Sequence, residues 1–133
     1  MIAATELRLV LVTPETTLLD ERVRSLQFPL YDGQMGVLPG RAPLVGRLGI
    51  GELRIETSAG NTERYFLDGG FVQIKGSVVT LLTNRSLRVE SINLGQAEAD
   101  LAAALAQTPT TAAALDAKQQ SLQRARRMIA LRK

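Results

Sequence analysis

Between Glu6 and about Arg88 apolar residues recur mostly at every second position, and beyond Val89 they recur every third or fourth. The first spacing belongs to strands and the second to helices. Leu7, Leu9 and Leu11 share one face of a first strand. Val10 and Val12 make its other face apolar too, so this strand is expected to be covered on both sides. Glu52-Leu53-Arg54-Ile55-Glu56-Thr57 alternates strictly, as a half-buried strand does. The turn residues Ala59-Gly60-Asn61 separate it from Arg64-Tyr65-Phe66-Leu67, which predicts a hairpin. Gly69-Gly70 interrupts the next run, where a bulge or a change of sheet is expected. Phe71 to Lys75 and Val78 to Thr83 then form a further hairpin across Gly76-Ser77. Frequent turns without a helical period predict a two-sheet antiparallel sandwich.

After Val89 the composition changes. Asn93-Leu94-Gly95-Gln96 reads as a capping box, with Asn93 accepting from the backbone and Gln96 reaching back. Leu94, Ala97, Leu101 and Leu105 follow at helical spacing, and Thr108-Pro109 ends that helix. Thr110 or Thr111 caps a second helix, about residues 112–131, with Leu115, Leu122, Ala125 and Ile129 on one stripe. So short a connection predicts antiparallel helices. The fold class is therefore α+β: a β-sandwich over residues 1–89 and a C-terminal helical hairpin over residues 90–133. The first helix is rich in alanine, which favours helix but buries little area, at about 25 cal/mol per Å². The hairpin is thus expected to be stable as helices yet weakly held against the sandwich.

Charge sharpens this division. Residues 1–117 hold 10 Lys/Arg and 13 Asp/Glu, whereas residues 118–133 hold six basic residues and no acid. A nearly neutral body with a basic tail suits an acidic protein surface, nucleic acid or anionic lipid. The five aromatic residues are not interleaved with basic ones, which argues against a stacking platform for nucleic acid. Histidine and cysteine are absent, which excludes histidine bases, cysteine nucleophiles and disulfides, and no acidic cluster suggests a metal site. Leu7 to Val12 is too short to span a bilayer, and Met1 to Glu6 lacks a basic leader region, so a soluble, unprocessed chain is expected. An enzyme has little here to work with.

The segment Asp32-Gly33-Gln34-Met35-Gly36-Val37-Leu38-Pro39-Gly40-Arg41-Ala42-Pro43-Leu44 stands apart, with three glycines and two prolines. It cannot be a helix or a central strand, and Gly33, Gly36 and Gly40 are expected to take positive φ. Met35, Val37 and Leu38 are apolar enough to enter a core. A rigid corner presenting Gln34 and Arg41 outward suits docking better than chemistry.

Residues 33–44 with Gly49-Ile50-Gly51-Glu52-Leu53-Arg54-Ile55 closely resemble the ε subunit of the bacterial and chloroplast F-type ATP synthase. Leu9-Val10-Leu11-Val12-Thr13-Pro14-Glu15, Leu67-Asp68-Gly69-Gly70-Phe71-Val72 and Val78 to Leu82 resemble the same family in the same order. The resemblance implies a sandwich of about ten strands followed by a helical hairpin. It also implies a non-catalytic rotor subunit of a proton-translocating complex. Such a subunit binds γ and the polar loops of the membrane c-ring, coupling c-ring rotation to ATP synthesis. The family's hairpin can extend along γ to the catalytic α/β ring and suppress hydrolysis. The implied location is peripheral, on the cytoplasmic face of a bacterial plasma membrane, or the thylakoid if the chain is organelle-encoded.

Carried over residue by residue, the docking set for γ and the c-ring is Gln34, Met35, Arg41, Ala42 and Pro43. Relatives often have glutamate at the position of Gln34 and usually histidine at that of Arg41, so the docking charge differs here. Arg124, Arg126 and Arg127 read either as a solvated helix face or as contacts to the β subunits. Some bacterial relatives bind ATP through an Ile/Leu-Asp-x-x-Arg-Ala motif. Here Ile92-Asn93-Leu94-Gly95-Gln96-Ala97 replaces its carboxylate and guanidinium by amides, so neither ATP nor any other cofactor is expected.

Overall fold

A computed structural model of the chain describes residues 6–38 and 43–132. These divide into two compact units, one ending at Arg88 and the other beginning at Val89.

The first unit contains seven strands among its described residues: β1 (Leu7–Val12), β2 (Thr17–Leu30), β3 (Gly33–Val37), β4 (Leu44–Thr57), β5 (Thr62–Lys75), β6 (Val78–Leu82) and β7 (Ser86–Arg88). Neighbours run β1-β6-β5-β4-β2, and a further β1–β2 pairing closes this path into a ring, with β3 added to β2 and β7 to β5. Antiparallel neighbours alone cannot close a ring of five, because the direction alternates and five is odd. The necessary parallel pair is β1–β6, with Leu9 opposite Val79 and Leu11 opposite Leu81. The expectation of a wholly antiparallel sandwich is corrected at that seam.

The count of about ten strands is corrected too. β2, β4 and β5 are 14 residues each, and β5 runs through Gly69-Gly70, where the sequence suggests an interruption. Each turns a different set of side chains inward part-way along. In β4 the buried set passes from Leu48 to Leu53 and Ile55; in β5 it passes from Tyr65 and Leu67 to Val72 and Ile74. In β2 it passes from Val23 to Leu26 and Phe28, where the pairing with β4 shifts register between Val23 and Ser25. A strand that bends around the core must change its inward face. Gly69 and Gly70, at φ 71° and 115°, permit that bend in β5 without ending the strand. The bend is clamped by buried Thr83, whose Oγ1 accepts from the Asp68 amide at 3.2 Å and donates to the Arg85 carbonyl at 3.2 Å.

Leu7, Leu9 and Leu11 of β1 join Leu26, Phe28, Leu53, Ile55, Leu67, Ile74 and Leu81 in one core. The other face of β1, with Val10 and Val12, is half-covered.

The second unit holds a 3-10 turn (Val89–Ser91), α1 (Leu94–Leu105) and α2 (Ala112–Arg132). Asn93 Oδ1 accepts from the Gln96 amide at 3.0 Å, so half of the predicted capping box forms. The reciprocal half does not, because Gln96 Nε2 instead donates to Asp100 Oδ1 at 2.8 Å. Thr111 is the cap of α2, its Oγ1 accepting from the Ala114 amide at 3.0 Å. The helices are antiparallel: Lys118 Nζ donates to the Gln107 carbonyl at 2.9 Å, and Arg132 Nε donates to the Ile92 carbonyl at 3.2 Å. The buried helical residues are Ala97, Ala104, Ala125 and Met128. Leu105 and Leu115, placed on the apolar stripes by their spacing, are exposed. Successive i, i+4 steps drift by about 40° around a helix of 3.6 residues per turn, which carries Leu105 off the face that Ala104 holds.

Candidate docking surface

The corner segment divides between strand and turn. Gly33 to Val37 forms β3, which pairs with β2 from Gly33 opposite Leu30 to Val37 opposite Leu26. Gly33 has φ of 153°, whereas Gly36 is not among the residues with positive φ, so that expectation is corrected. An extended strand supplies the segment's shape at Gly36, and left-handed backbone is not needed there. Gln34 is exposed, as predicted for an outward contact, and so is Pro43. Met35 is half-buried and packs against the core. Arg41, Ala42 and Gly40 lie outside the described residues.

Leu38, expected to enter a core, is instead exposed, and a further apolar exposure of the first unit lies outside that segment. Phe71, 59% exposed, stands opposite Leu82, 46% exposed, on the neighbouring strand. Leu82 is in turn opposite Val12, and Phe71 is opposite Arg47. Cross-strand partners share a face, so Val12, Leu82, Phe71 and Arg47 form one row across four strands. Val45, two residues before Arg47, is 74% exposed in the adjacent row opposite Gln73. The Arg47 guanidinium lies 4.1 Å from the ring centre of Tyr31, itself 68% exposed. Sequence reading missed this patch because Phe71 and Tyr31 sit inside apolar runs. The legible signal was phase: in Phe71-Val72-Gln73-Ile74-Lys75 the phenylalanine occupies the polar register.

On the second unit, Arg126 and Arg127 are exposed and border a depression along α2 with Gln119, Leu122 and Gln123. Arg124 is half-buried, so the three arginines do not present one flat contact. Asn93 and Gln96 engage their amides in the helix start described above. Among the described residues, no three of His, Cys, Asp or Glu could hold a metal ion, and no helix is long and apolar enough to cross a membrane.

One polar group sits uneasily in the sandwich. Glu21 on β2 is half-buried, and its Oε1 is buried without a hydrogen-bond partner among the described residues. Burial, followed by the nearby Glu63 charge, raises the Glu21 carboxyl above its ordinary value, and Arg88 opposes the rise. The folded chain therefore takes up this proton more readily than the unfolded chain does. Its contribution to stability is present below the ordinary glutamate pKa and is lost as pH rises through the elevated value. Glu21→Gln is expected to be more stable than the parent at pH 7, with the gain fading below about pH 4. Urea unfolding at the two pH values measures this, and an equal midpoint at pH 7 would contradict it.

The β-sandwich domain of the ATP synthase delta/epsilon chain matches residues 6–89. The ATP synthase epsilon chain of Rhodopirellula baltica is 43% identical over 120 residues, 90% of this chain and 93% of that one. The chain belongs to the epsilon family of F-type ATP synthase. The epsilon chain of Granulibacter bethesdensis is 36% identical over 125 residues, 91% of this chain and 93% of that one. Among solved structures, a chain of the Euglena gracilis mitochondrial ATP synthase OSCP/F1/c-ring assembly superposes with a TM-score of 0.88 at 24% identity. That match covers 98% of this chain and 83% of the Euglena one. A chain of the Tetrahymena thermophila central stalk and c-ring superposes with a TM-score of 0.75 at 13% identity over the full length of both. At such identities these two likenesses speak for the fold alone. As an epsilon-family member the chain is a stalk subunit of ATP synthase and not one of its catalytic subunits.

Proposed function

We propose that the chain couples c-ring rotation to ATP synthesis as part of the central stalk, with its sandwich docked on γ and its Gln34 corner toward the c-ring. The observation that carries this reading is the outer row of exposed Phe71 and Leu82 and half-buried Val12, with exposed Val45 beside it. Isolated apolar residues on a surface need no explanation, but a contiguous row across four strands marks an interaction site. Gln34, exposed on the same unit, supplies a polar contact, and exposed Pro43 an apolar one.

The hairpin is the regulatory element in this reading. The buried residues of its helices are three alanines and Met128, and each alanine buries far less area than a leucine would. A conformation in which α2 reaches the α/β ring would place Arg126 and Arg127 against acidic segments, where charge-assisted hydrogen bonds suppress hydrolysis. Nucleotide takes no part, because Asn93 and Gln96 offer amides where the ATP-binding relatives offer a carboxylate and a guanidinium. The location is the cytoplasmic face of a bacterial plasma membrane, held through the complex.

The test is hydrolysis by the assembled F1 complex carrying Arg126→Glu and Arg127→Glu. ATPase activity is expected to rise several-fold, since reversing close charge pairs costs about 2 kcal/mol or more. Unchanged hydrolysis at both low and high ATP would remove the inhibitory role, leaving the docking role to be judged by binding to γ.

A further inference from the structure

We propose that Arg47, held flat on Tyr31, is the charge-selective anchor of the outer row, and that the partner surface seats a carboxylate opposite it. This deepens the docking reading above and rests on it.

Three features single out Arg47. Its guanidinium is stacked 4.1 Å from the Tyr31 ring centre, and the Tyr31 amide donates to the Arg47 carbonyl at 2.8 Å, so backbone and side chain fix the pair together. A planar cation already restrained on an aromatic face loses less freedom when it binds than a free lysine does. Arg47 also lacks an anionic partner among the described residues, in contrast to Arg8, which Asp20 neutralises at 2.8 Å. Asp32, next to Tyr31 in the turn, makes no ion pair with it.

The surrounding face offers no compensation. Val10, Val12, Val45, Phe71, Gln73, Thr80 and Leu82 are neutral; at the far edge of the face Asp20, opposite Val10, is held by Arg8, and Arg22 and Lys75 stand in the row of Arg8 and Val78. An apolar row with surplus positive charge, whose nearest carboxylate on the face is already taken up by Arg8, is complementary to an apolar surface bearing acid. Arginine and tyrosine at the edge of such a row are the residue types that most often dominate binding energy. Nucleic acid is a poorer fit, because phosphate recognition needs a field of cations, and here apolar and neutral side chains separate Arg47 from the basic residues of the far edge.

The experiment titrates the full-length chain against the γ subunit of the same enzyme at several salt concentrations. Arg47→Glu is expected to weaken binding about tenfold or more at low salt, chiefly through slower association. Arg47→Ala should weaken it less and flatten the salt dependence, and Arg47→Lys should keep the salt dependence while losing affinity. Tyr31→Leu, which preserves apolar area and removes the π face, should also lose affinity. Phe71→Ser serves as the separate arm. If Phe71→Ser weakens binding but Arg47→Glu binds as the parent does, with the same salt dependence, the anchor is overturned and the docking surface stands. If neither variant weakens binding, the docking surface itself is wrong.

Discussion

Replacing Gly70 by alanine is expected to prevent the sandwich from folding stably. A Cβ at this position would lie 1.8 Å from the Leu82 carbonyl oxygen and 2.8 Å from the Thr83 Cα, both backbone atoms that cannot swing aside. The residue also holds φ of 115°, a conformation that side chains disfavour. Backbone strain costs about 1–3 kcal/mol. Forced displacement of packed neighbours adds about as much again. A loss of about 4 kcal/mol or more is a large part of the 5–15 kcal/mol that ordinarily stabilises a domain. Soluble yield and urea unfolding report it. Gly60→Ala is the matched control, since that residue has φ of 88° but nothing within 4 Å of a new Cβ. It should cost only about 1 kcal/mol. Equal midpoints for Gly70→Ala and the parent would mean that the β5 bend relocates instead of resisting.

The double variant Phe71→Ser, Leu82→Ser should have the opposite signature, an intact fold with lost association. Both side chains are substantially exposed, so their removal should cost the fold about 1 kcal/mol or less. At a buried interface, truncating two central apolar anchors costs about 3 kcal/mol, or roughly a hundredfold in affinity for γ. Calorimetric titration alongside thermal unfolding separates the two quantities. Parent-like affinity would show that γ docks elsewhere, and equal losses of affinity and stability would show that the pair is structural.

Local alternation made most of the secondary structure legible. Glu52 to Thr57 lies in β4 with Leu53 and Ile55 buried and Arg54 and Glu56 exposed, and Asn93 caps α1. Continuity was harder to read. Gly69-Gly70 looks like a break in one dimension, yet the strand continues because the left-handed backbone there bends it around the core. Ring closure through β1 and β6 is a long-range event on which the alternation of either strand is silent. The docking row has the same origin: Val12, Leu82, Phe71 and Arg47 are scattered in sequence and become neighbours only through register. On the hairpin, the second half of the capping box failed because Asp100, one turn along α1, offers the Gln96 amide a charged acceptor. Gln34 was legible as an outward residue because β3 presents it on the face away from the core, whereas Met35, next along, must point inward.

The three long strands have a mechanical consequence. Because β2, β4 and β5 each curve around the core, the opposite walls of the sandwich are joined by covalent chain as well as by side-chain packing. Sliding one wall past the other would require unbending three polypeptide segments and tearing the β1–β6 seam together. A body built this way transmits a twisting load applied at one wall to the other with little shear, and compliance is left to the elements outside the ring.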